Sequence, residues 1–89
     1  MKIIHVRTIN EIPRSYTGKL IYPSGHQEWL MEGELHREDG PAVMRTNGKN
    51  NFYYQGTEYS PEDHLDLMLS LAETEDDKLK ILFNIDNWR

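Results

Sequence analysis

Eighty-nine residues with 37% apolar and 28% charged side chains describe one ordinary globular domain, too apolar for a disordered chain. A net charge of -5 argues against a nucleic-acid binder held by phosphate contacts, and the lack of cysteine excludes disulfides, thiol nucleophiles and thiolate metal sites. No run approaches the roughly 18 apolar residues of a membrane span, and Met1–His5 lacks the apolar stretch of a signal peptide, so a cytoplasmic chain is expected.

In chain order, Lys2–Arg7 can form a first short strand. The Asn10-Glu11 pair and Pro13 then break the chain before a longer β region begins. That region repeats under a shift of 23 residues: Gly25 falls on Gly48, Gly33 on Gly56, Trp29 on Phe52, Leu20 on Val43, Ile21 on Met44 and Glu32 on Gln55. Each unit (20–38 and 43–61) reads as apolar pair, turn, aromatic-centred strand, turn. Asn47-Gly48 is the favoured pair for a two-residue type I′ hairpin, which would set Val43 opposite Phe52. Ser24-Gly25 would set Leu20 opposite Trp29 in the same way. Glu32-Gly33 and Gln55-Gly56 are weaker two-residue turns.

Strands are therefore expected at 18–23, 26–32, 34–36, 42–46, 49–54 and 57–59, forming an antiparallel meander. In this register Leu20, Trp29, Met31, Val43, Phe52 and Tyr54 share one face. Ile21, Leu30, Leu35, Ala42, Met44 and Tyr53 share the other. A sheet apolar on both sides needs two covers, and the tail supplies one. The face left bare is the expected partner surface, for another protein or for a second copy of this chain. An edge strand, 57–59 or 2–7, could also pair between chains.

The tail reads as a helical hairpin. Ser60 can cap, Pro61 suits the first helical position, and Leu65, Met68, Leu69 and Ala72 recur along one face, widened by Leu67 and Leu71. Thr74-Glu75-Asp76-Asp77 opens a second helix, with Leu79, Leu82 and Phe83 expected inward and Ile81, Ile85 and Trp88 beside them. All of the net charge lies in 61–89. Acids at Glu73, Glu75, Asp76 and Asp77 suit helix starts and solvated turns better than a DNA-like docking face.

Leu35-His36-Arg37-Glu38-Asp39-Gly40-Pro41-Ala42-Val43, with Trp29, Gly33, Gly48, Phe52 and Gly56, resembles the HREDGPA-type repeat. Ile12-Pro13, Tyr16-Thr17-Gly18 and Tyr22-Pro23-Ser24-Gly25 are similar to that family's lead-in, and Tyr59-Ser60-Pro61-Glu62 to its passage into a helix. The resemblance covers roughly 12–62. It implies small proteins related to MORN repeats, frequent in bacteriophages, so a phage-encoded chain acting in the host-cell cytoplasm. In the second unit Tyr59-Ser60-Pro61 replaces the His-Arg-Glu-Asp run.

His36, Arg37, Glu38 and Asp39 are residue types that serve acid–base or metal-assisted hydrolysis. The four histidines lie on unrelated segments, however, and no H-E-x-x-H, Walker loop or nucleophile elbow is present. Turn-building explains the motif more simply: Asp39-Gly40 turns the chain and Pro41 stiffens the exit. The expected protein is α+β, two MORN-like 23-residue units in a β-meander followed by a helical hairpin, within one domain. Its expected function is non-enzymatic: binding a host protein, as an inhibitor or modulator of host defence, with a homodimer possible and no cofactor or metal. Candidate partner-binding residues are Trp29, His36, Arg37, Asp39, Tyr53, Tyr54 and Tyr59. The alternative is a small-molecule or nucleotide sponge, with an aromatic and His/Arg-lined pocket at a dimer interface; Trp29, Tyr53, Tyr54 and Tyr59 could also form a stacking platform for bases.

Overall fold

The chain folds into seven strands followed by two helices: β1 (Ile3–His5), β2 (Gly18–Ile21), β3 (Gln27–Met31), β4 (Glu34–Leu35), β5 (Val43–Met44), β6 (Asn50–Tyr54), β7 (Thr57–Tyr59), α1 (Pro61–Leu71) and α2 (Glu75–Ile85). The structure, a computed structural model, describes the backbone of residues 1–85 and the side chains of residues 1–83. The sheet runs β1-β2-β3-β5-β6-β7, with β4 pairing the far end of β3. Every pairing is antiparallel except β1 with β2, which is parallel. Parallel neighbours need a crossover; residues 6–17 provide it, with a 3-10 turn at Ile9–Glu11.

The hairpins at Ser24-Gly25 and Asn47-Gly48 differ from the expected two-residue turns. Tyr22 N donates to His26 O and Arg45 N to Lys49 O, closing three-residue loops over 23–25 and 46–48. Gly25 (φ 94°) and Gly48 (φ 84°) take the left-handed position, while Asn47 does not. The Asn47 side chain instead accepts from Lys49 N at 3.0 Å, and Ser24 Oγ accepts from His26 N at 3.3 Å. This local bond favours a right-handed turn followed by a left-handed glycine over type I′. The type I′ turns lie at the weaker pairs, where Glu32 (φ 50°) and Gly33 (83°) match Gln55 (φ 49°) and Gly56 (81°).

One extra loop residue moves the register by one and reverses which side chains share a face. Leu20 pairs with Glu28 and Val43 with Asn51, so Trp29 and Phe52 lie on the face opposite Leu20 and Val43. The two units are superposable in register: adding 23 converts Leu20↔Glu28, Ile21↔Gln27, Leu30↔Leu35 and Met31↔Glu34 into Val43↔Asn51, Met44↔Asn50, Tyr53↔Glu58 and Tyr54↔Thr57.

Each face has its own cover, which corrects the expectation of a bare ribbon. On one side the crossover packs Val6, Ile12 and Tyr16 onto Leu20, Ile4, Tyr22 and Leu30. Leu20 is 1% exposed, a burial that contributes about 2 kcal/mol. On the other side Trp29 lies beneath the Arg37 guanidinium and Phe52 against His64 of α1. Met31 alone among the ribbon's large apolar residues is exposed.

Both helix starts follow their sequence signals. Ser60 Oγ accepts from Asp63 N, and Thr74 Oγ1 accepts from Asp77 N, each at 3.1 Å. Met68 is buried on α1, with Leu65, Leu69 and Ala72 half-buried. The expected inward face of α2 is reversed: Leu79, Leu82 and Phe83 are 61%, 45% and 81% exposed. Because α2 packs chiefly on α1, it inserts only a narrow strip containing Lys78 and Ile81. The Ile85 side chain and Trp88 lie outside the described residues. Among the described residues no helix is long and apolar enough to cross a membrane.

Candidate functional site

Hydrogen bonds of His36 and Arg37 build the turn of the His36–Pro41 segment and hold the Gln55-Gly56 turn against it. His36 Nδ1 accepts from Gln55 N at 2.9 Å, which leaves the ring proton on Nε2, 3.5 Å from Glu38. The His36 ring lies 4.7 Å from that of Tyr54. Arg37 N donates to Tyr53 O, its Nε donates to Asp39 Oδ1 at 2.8 Å, and a terminal nitrogen donates to Pro41 O. The guanidinium carbon sits 3.9 Å from the Trp29 ring centre, a cation–π contact on the opposite face from Leu20. Lys19 flanks the same indole at 4.8 Å.

His36 repeats an arrangement found in the first unit. There Gly33 N donates to Tyr16 O and Glu32 N to Thr17 Oγ1; in the second, Gly56 N donates to Leu35 O and Gln55 N to His36 Nδ1. Each type I′ turn is thus hooked onto a carbonyl and the following residue's side chain, both from the segment before it. Thr17 and His36 do the same work with different atoms.

The seven candidate residues do not form one exposed patch. Trp29 is buried, Arg37 and His36 are largely enclosed, and Tyr53 and Tyr54 point to opposite faces of β6. Tyr59 pairs with Phe52 and borders a separate shallow cleft with Ser60 and Pro61. A stacking platform of Trp29, Tyr53, Tyr54 and Tyr59 is therefore not assembled.

A cavity of about 760 Å³ does open beside the motif. Its walls are the Glu38–Gly40 loop, β6, α1 and α2; Phe52, Tyr54, Met68 and Ile81 give it an apolar floor, and Glu38, Asp39, Glu62 and Asp77 lie around it. His64, which the sequence placed with unrelated histidines, is the buried polar residue here. Its Nε2–H donates to Arg37 O at 2.8 Å, so α1 is tied to the motif. Burial holds the imidazole below its ordinary value of 6.5, against the opposing pull of the Arg37 carbonyl. The His64–Met68 spacing of four, on the buried face, is the signal that could have revealed it.

No family model, curated protein or solved structure matches this chain. Among the described residues no group of three or more His, Asp or Glu side chains could hold a metal ion. A second titratable cluster lies on the first hairpin, where Tyr22 Oη donates to Glu28 Oε1 at 3.2 Å and His26 Nε2–H to Oε2 at 2.9 Å. Burial, then the Glu28 charge, pushes the Tyr22 hydroxyl up. A protonated phenol and a carboxylate accepting twice make a staple, with no activated nucleophile.

Proposed function

We propose that the chain is a non-enzymatic protein-binding module, a small phage-encoded inhibitor or modulator of a host defence protein. The observation that carries the binding reading is the apolar stripe of α2. Leu79, Leu82 and Phe83 stand at i, i+3 and i+4 and face water, the pattern by which a helix docks into an apolar groove. Leu71 at the end of α1 is also exposed. Covering one such side chain fully contributes roughly 1.5–3 kcal/mol. The non-enzymatic reading is supported by the motif, whose His36, Arg37 and Asp39 are engaged in turn-building bonds. The MORN-like kinship and the phage and host assignments are supported by the resemblance of residues 12–62.

The test is affinity capture from host lysate with wild type and with Leu79→Glu plus Phe83→Glu. A protein retained by wild type and lost with the variant, at unchanged melting temperature, is expected. A captured set indifferent to the substitutions overturns the reading. Measuring mass in solution separates a foreign partner from a second copy. The sponge reading has the 760 Å³ cavity in its favour, but all its walls come from one chain and its carboxylates repel nucleotide phosphates.

A further inference from the structure

We propose that the cavity between the Glu38–Gly40 loop, β6, α1 and α2 binds a small organic cation: an apolar or aromatic body carrying an ammonium or guanidinium group. The volume, about 760 Å³, lies within the range of small-ligand pockets. Its floor is built from Phe52 and Tyr54 together with Leu65, Met68 and Ile81. These fit an apolar body.

Charge selects the head group. The lining holds Glu38, Asp39, Glu62 and Asp77 against the single ammonium of Lys80. Arg37 balances Asp39, and the imidazole of His64 donates from Nε2 to a carbonyl. Glu62 and Asp77 stand in the first turns of α1 and α2, where each helix end contributes about half a positive charge. The surroundings restore the balance toward negative, because beyond the lining residues 61–85 add Asp63, Asp66, Glu73, Glu75 and Asp76 against Lys78. A cleft with apolar walls focuses such a field.

A macromolecular occupant fits less well. The exposed stripe of Leu79, Leu82 and Phe83 lies on the opposite side of α2 from Asp77, Lys80 and Ile81, at about 100° per residue. A protein covering the stripe does not enter the cavity, whose wall α2 forms with its other side.

The experiment compares phenylbutylamine, phenylbutanol and phenylbutyrate by calorimetry and thermal shift on the full chain. The amine is expected to bind, the alcohol roughly tenfold more weakly, and the carboxylate not at all. Glu62→Gln with Asp77→Asn should reduce amine affinity to that of the alcohol, leaving alcohol binding unchanged. Phe83→Glu should leave both unchanged. Equal binding of the three probes, no binding of the amine, or insensitivity to the double substitution overturns the proposal. So does a dimer in solution that binds the amine only once diluted to monomer, which assigns the cavity to a second copy.

Discussion

Trp29 and Phe52 hold equivalent places in two units of identical strand register, yet they are sealed by unlike groups. The first is roofed by the Arg37 guanidinium, from the end of its unit just past β4. The second is faced by the His64 imidazole, ring centres 5.2 Å apart, from the helix that follows its unit. A repeat therefore sets backbone and register, while whatever comes next along the chain supplies the cover. The two covers are joined, since His64 donates to the carbonyl of Arg37.

Removing the covered ring should have the largest effect. Trp29→Ala and Phe52→Ala are each expected to cost about 3–5 kcal/mol in urea unfolding. If the covers act independently, the double variant is additive; coupling of about 1 kcal/mol would show the His64–Arg37 bond transmitting between units. The hook glycines should come next, and unequally. A Cβ on Gly33 would strike the Arg14 carbonyl, whereas one on Gly56 meets only the end of the Glu34 side chain. Gly33→Ala should cost about 3 kcal/mol and Gly56→Ala about 1–2 kcal/mol; equal costs would show that the two hooks are not docked differently.

A smaller effect separates the side-chain acceptors. His36→Ala removes both the Gln55 acceptor and the Tyr54 contact, so about 1.5 kcal/mol is expected, against about 0.5–1 kcal/mol for Thr17→Ala. The gentlest probe is pH. His64 is held below 6.5 by burial, so on acidification the unfolded chain takes up a proton that the folded chain resists. Its contribution is complete above about pH 6.5 and is lost as pH falls through the lowered folded value. His64→Gln should flatten the stability profile over that window; an unchanged slope would assign the acid loss to the carboxylates.

Much of this architecture was legible because turn and cap chemistry is local. The glycine pairs at 25/48 and 33/56, the Ser60 cap and the Thr74 start all act within a few residues, and each marked its element. What the sequence hid was decided by competition or by distance. Asn47 favours type I′ turns in general, but its own side chain found Lys49 N instead, and one loop residue reversed the faces. The second cover was hidden because Val6 and Tyr16 meet Leu20 only after a parallel crossover, which no periodicity announces. The outward stripe on α2 was read as core because amphipathicity gives a helix's apolar side but not whether anything lies there. The cavity needs residues from four elements and left no contiguous signal.

The hooks point one way along the chain. Each turn reaches back to atoms of residues already made: Tyr16 and Thr17 precede Glu32-Gly33, and Leu35 and His36 precede Gln55-Gly56. A polypeptide leaving the ribosome thus always presents the receiving site before the piece that fastens to it. Growth by splicing in another 23-residue segment would preserve that order, with the terminal helices left to close whichever segment came last.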